Sequence, residues 1–99
     1  MKPVRLRPIA KRDLREAVEW YRARDADLAN RFIDEVYKVV ALIERFPNLG
    51  GPVYGIPEPG VRELPVSSFP YRVIFRRGEY RTTVVAIAHA RKRPGYWNE

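Results

Sequence analysis

The residues best suited to chemistry crowd the end of the chain: His89, Arg91, Lys92, Arg93, Tyr96 and Trp97. His89 is the only histidine, and an imidazole near neutrality can take up a proton as a general base. At the end of a strand the same ring serves equally as a structural hydrogen-bonding partner. The Arg91-Lys92-Arg93 run beside two aromatics suits single-stranded nucleic acid, with cations on phosphates and rings stacked on bases. It suits an acidic protein segment as well, and Tyr96 and Trp97 can instead fold back over a sheet edge or a helix. Arg72 stands between Tyr71 and Val73 in an alternating run, so its side chain takes the opposite sheet face. If that face is turned away from the helices, Arg72 belongs to an open concave surface.

Composition narrows the partners. The formal net charge is +7, and it is unevenly spread. Residues 1–24 hold eight Lys/Arg against three Asp/Glu, residues 62–99 repeat that ratio, and residues 25–61 reverse it, three against six. A chain with cationic ends favours a polyanion or an acidic protein. The absence of cysteine removes disulfide and thiol chemistry, and with a single histidine no metal site and no cofactor are expected. Lys2, Arg5 and Arg7 break any apolar run after Met1, and no segment approaches a membrane span. The expectation is a cytoplasmic protein, soluble, with residues 1–99 forming one domain.

These residues need elements to hold them. Val4 to Arg7 alternates and reads as a short strand, which Pro3 and the charges place at a sheet edge. From about Ile9 to Arg24 the period changes: Leu14, Ala17, Val18 and Tyr21 make one helical stripe. Pro8 suits the first turn, and Asp13 reads as an early carboxylate facing the helix dipole. Asp25 or Asp27 can cap a second helix carrying Leu28, Phe32, Val36, Val39, Ile43 and Phe46, closed by Pro47 and the Gly50-Gly51-Pro52 cluster. Residues 47–60 hold four prolines and four glycines and read as a loop without a regular element. Three strands follow, Val61–Val66, Tyr71–Arg76 and Thr82–Ala88, the last of them the most apolar and central. The order β-α-α-β-β-β predicts an α+β fold in which a helical hairpin packs on a small antiparallel sheet.

That order and its local sequences resemble the RelE/ParE superfamily of toxins from type II toxin–antitoxin modules. The resemblance rests on Asp13-Leu14 with Trp20-Tyr21 in the first helix, and on Leu28-Ala29 with Phe32 in the second. It continues through Pro47, Arg62-Glu63-Leu64, Phe69-Pro70-Tyr71-Arg72 and the tail His89, Arg91, Arg93, Pro94, Tyr96, Trp97, and so covers nearly the whole chain. Members resembling RelE cut messenger RNA on the ribosome; members resembling ParE poison DNA gyrase. Carried over by position, Arg72 and Arg91 match arginines of the ribonuclease branch, and Tyr96 or Trp97 its stacking aromatic. The departure lies one strand earlier, where the two lysines of that branch fall on Glu63 and Pro65. A carboxylate repels the phosphate and a proline does no acid–base work.

The Arg-x-Leu, Phe-Pro-Tyr and His-x-Arg-x-Arg-Pro signatures look closer to the ParE branch. The resemblance then implies a gyrase inhibitor that performs no catalysis, with Arg62, Arg72, Arg91, Lys92, Arg93, Tyr96 and Trp97 available to bind a target. The alternative it implies is a metal-independent, ribosome-dependent endoribonuclease using Arg72, Arg91 and His89. A third is a chain that only binds its antitoxin. Each implies neutralisation by a cognate antitoxin, and the charge of +7 predicts that its C-terminal segment is acidic.

Overall fold

The computed structural model describes every residue except 1–3, 47, 57, 59 and 99. The readings of Pro3 as an edge residue and of Pro47 as a helix stop therefore lie outside the described residues. The order is β1 (Val4–Leu6), α1 (Pro8–Arg22), α2 (Ala26–Arg45), β2 (Gly51–Pro52), β3 (Val61–Pro65), β4 (Tyr71–Arg77) and β5 (Thr82–His89), then a short 3-10 turn, Tyr96–Asn98. No described helix is long and apolar enough to cross a membrane.

Pro8 opens α1, where its missing N–H would have had no acceptor in the helix. Asp25 caps α2, its carboxylate accepting the Asp27 backbone N–H at 2.8 Å. Both helices turn their apolar stripes to the sheet. Phe32, Val36 and Ile43 are wholly buried, and each such burial contributes roughly 1.5–3 kcal/mol. Phe46 departs from the expected stripe: it is the C-cap residue, past the last turn, and is 49% exposed.

The sheet runs β1-β5-β4-β3-β2. The meander β3-β4-β5 is antiparallel as expected, but the sheet as a whole is mixed, because β1 pairs with β5 in parallel, Leu6 beside Val84. The helical hairpin between them carries the chain back across the sheet, which a parallel pairing requires. The loop read as irregular contributes β2, whose Gly51 and Pro52 pair with Glu63 and Arg62. Gly50 makes this possible: it has φ +87°, and a Cβ there would sit 2.6 Å from the Glu63 carbonyl oxygen.

Each face of the sheet has its own core. Val73, Phe75, Val84 and Ile87 meet the helices. Ile74, Val85, Ala86 and Ala88 point the other way, onto Val53, Val61 and Trp97. An irregularity between Ile74 and Phe75 leaves Val85 without a direct partner on β4, so it joins Ala86 on the far face.

Candidate functional site

Arg72 does lie on the face turned away from the helices, beside Ala88 and with Ile74. That face is not the open surface expected of it, because Trp97, Val53 and Ile56 cover it. Arg72 is also neutralised there. Its Nε stands 3.1 Å from Oε2 of Glu63, with side chains 33% and 18% exposed. The two atoms are misaligned for a hydrogen bond and have no other such partner among the described residues, so the contact is one of charge. The carboxylate that departs from the lysine pattern thus holds the arginine.

A half-buried pair of this kind couples its members. Arg72→Ala is expected to cost about 1–2 kcal/mol by leaving Glu63 unpaired in a partly desolvated place. In urea unfolding, the Glu63→Ala/Arg72→Ala double mutant should lose less than the two single mutants summed. Strict additivity would dissolve the pair.

His89 is on the opposite face. It pairs with Tyr71 across the strands, the two rings edge to face at 5.0 Å, and its Nδ1 accepts the Arg91 backbone N–H at 3.0 Å. Arg72 and His89 are therefore separated by the sheet itself. Arg91, Lys92 and Arg93 lie exposed in the turn after β5. Arg62 closes the loop behind α2, donating to the carbonyls of Leu49 at 3.0 Å and Gly50 at 2.9 Å.

The tail folds back, as the packing alternative has it. Trp97 is 1% exposed, and its carbonyl accepts from Arg7 at 3.4 Å. Tyr96 donates its hydroxyl to Oδ2 of Asp13 at 2.6 Å, and the same oxygen accepts the Ile87 backbone N–H at 3.1 Å. Burial first, then this bond, pushes the Tyr96 phenol well above its ordinary value. Asp13 belongs to the second turn of α1, too far in to answer the dipole as expected; it ties α1, β5 and the tail together. Its position between Ala10 and Ala17 on the buried stripe was the signal for such a partner.

Two of the concavities among the described residues bear on partner binding. One, of about 390 Å³, lies between α1 and the ends of β4 and β5, and Asp13, Glu16, Trp20, Tyr71, His89 and Lys92 line it. The other is a groove along the outer side of the hairpin. Leu6, Leu14, Val18, Ile33 and Tyr37 form its apolar floor, and three cations, Lys11, Arg15 and Arg22, stand around it with one carboxylate, Glu19.

Comparison with known proteins agrees with this architecture. The family described as the ParE toxin of the type II toxin–antitoxin system parDE matches residues 4–94. Among solved structures, the chain resembles one described as the chromosomal ParDE TA system from P. aeruginosa, at 20% identity and a TM-score of 0.75. That match covers 90% of this chain and 96% of the other, and at such identity it speaks for the fold. No curated protein matches.

Proposed function

The chain belongs to the ParE toxin family of type II toxin–antitoxin systems, and from that premise we propose that it arrests growth by binding DNA gyrase, without catalysis of its own. The observation that carries this reading is the Arg72–Glu63 contact on the sheet face opposite His89. A metal-independent ribonuclease needs a proton acceptor and phosphate-holding cations converging on one scissile bond. Here the arginine is matched by a carboxylate, on a face that Trp97 partly covers, and divided from the histidine by a strand layer. A toxin that traps another enzyme on its DNA needs only a surface, and the exposed Arg91–Arg93 turn offers a cationic one.

We assign the outer groove to the antitoxin. An apolar floor with Lys11, Arg15 and Arg22 around it fits an amphipathic helix carrying carboxylates beside its apolar stripe. β1 is an edge strand whose own Leu6 lines that groove, and it can accept a further strand. Association with such an acidic segment is expected to weaken as salt is raised.

Expression without antitoxin decides the target. Growth arrest with intact messages, accompanied by DNA breaks, is the expected outcome, and the purified chain should inhibit supercoiling by gyrase. New message ends at codon positions, lost in Arg72→Ala or Arg91→Ala, would overturn the proposal in favour of the endoribonuclease.

A further inference from the structure

We propose that the pocket between α1 and the ends of β4 and β5 is an acceptor for one arginine side chain of a partner polypeptide. The inference does not depend on which target the toxin attacks. The pocket reverses the character of the chain around it: on a protein of net charge +7, this hollow is walled by aromatic rings and two carboxylates. Its volume of about 390 Å³ holds a single long side chain, and Trp20 and Lys92 are among its lining residues. Trp20 is 52% exposed, on a helix whose other aromatic, Tyr21, is buried.

Each wall has a use for a guanidinium. Trp20 already binds one: the Arg24 guanidinium lies 3.5 Å from the ring centre, anchored by a 2.8 Å bond to the Trp20 carbonyl. Arg24 takes one face of the indole and the Tyr21 ring stands perpendicular to it at 5.1 Å, which leaves the part that lines the pocket for a second cation. Glu16, its side chain 64% exposed, has only a loose contact with Arg12 at 3.8 Å, one turn back on the same helix. Surface pairs of that kind exchange readily. Asp13 is committed through Oδ2 to Ile87 and Tyr96, yet its charge stays in the pocket wall.

The field in the hollow can be read from Tyr71. Its hydroxyl is raised by burial first, then by neighbouring Tyr21, Asp13 and Glu16. The burial part of that rise works against any charge, but the part due to the Asp13 and Glu16 carboxylates favours a cation beside the ring. Guanidinium suits the site better than ammonium, since its plane stacks on rings while its N–H groups pair with a carboxylate. Lys92 is the internal competitor: it lines the pocket, with its ammonium 5.1 Å from the Tyr96 ring centre.

The test is a titration of the purified chain with a capped Gly-Arg-Gly peptide, followed by the Trp20 indole N–H and Tyr71 amide resonances. Saturable shifts with a Kd in the millimolar range are expected, as befits a single side chain. The citrulline peptide, of the same shape without charge, should bind at least about tenfold more weakly. Glu16→Gln should weaken arginine binding about fivefold, and Lys92→Ala should strengthen it about twofold. A simple structural role for either residue gives no such opposite pair of changes. Equal shifts with arginine and citrulline, or shifts that never saturate, would overturn the site; equal binding of a Gly-Lys-Gly peptide would overturn its selectivity for guanidinium.

Discussion

Trp97→Ala is expected to cost about 3–5 kcal/mol of folding stability, the usual penalty for emptying a buried aromatic site. The indole is 1% exposed and covers Ile74, Val85, Ala86 and Ala88, the apolar side chains that the far face of β4 and β5 would otherwise show to water. Nothing else in that core is as large, so the neighbours cannot collapse into the space. For a domain near 100 residues, each kcal/mol moves the melting temperature by roughly 4–8 °C, so the variant should be largely unfolded at growth temperature.

The indole nitrogen sharpens the test. It is buried without a hydrogen-bonding partner among the described residues, which costs the folded state something that a wholly apolar side chain would not. Trp97→Met, with a flexible chain that fills irregular space, should therefore recover a large part of the loss. Methionine cannot stack on a base as indole does. If Trp97→Met restores both urea stability and growth arrest, Trp97 acts as a cover. Restored stability without growth arrest would make the ring a contact with the target, reached only after the tail has moved.

The sequence made some of this legible and hid the rest for physical reasons. The stripes Ala17, Tyr21 and Phe32, Val36, Val39, Ile43 were readable because helical period is local, and all of these residues are buried. The β3-β4-β5 meander was readable because adjacent apolar runs separated by turns pair with their neighbours. The parallel pairing of β1 with β5 was not, since nothing local encodes a partner some eighty positions away. The second core escaped for the same reason: Val53, Val61 and Trp97 come from three separate segments, and only topology brings them onto one face. The site residues divide along this line. Alternation placed Arg72 on the correct face, but that Trp97 would cover the apolar part of that face and Glu63 neutralise the arginine depends on distant chain returning. Glu63 was noticed only as a departure from a pattern of lysines, and its positive role required the register that sets it diagonally across from Arg72.

Another set of non-local ties carries the second large effect. Asp13 Oδ2 receives both the Tyr96 hydroxyl at 2.6 Å and the Ile87 N–H at 3.1 Å, from positions 83 and 74 residues away. Asp13→Ala strands both donors, one of them on the buried residue Ile87 of β5, and is expected to cost about 3 kcal/mol. Asp13→Asn keeps an acceptor oxygen and should cost about half as much. The same bond sets an alkaline limit. An unfolded tyrosine ionises near its ordinary value of 10.0, whereas folded Tyr96 is held protonated well above it by burial and by the Asp13 carboxylate. Because the folded pKa is the raised one, this stabilisation is complete below the unfolded value and is lost as pH climbs beyond it. Tyr71 and Tyr21 are raised in the same direction, mainly by burial, and add to the fall. Urea midpoints measured from neutral pH upward should therefore hold level and then drop above about pH 10. Tyr96→Phe should start lower and drop less steeply, since it lacks the proton that the wild type must give up. An unchanged alkaline slope in Tyr96→Phe would shift the whole effect onto Tyr71 and Tyr21 and deny the Asp13 bond any part in it.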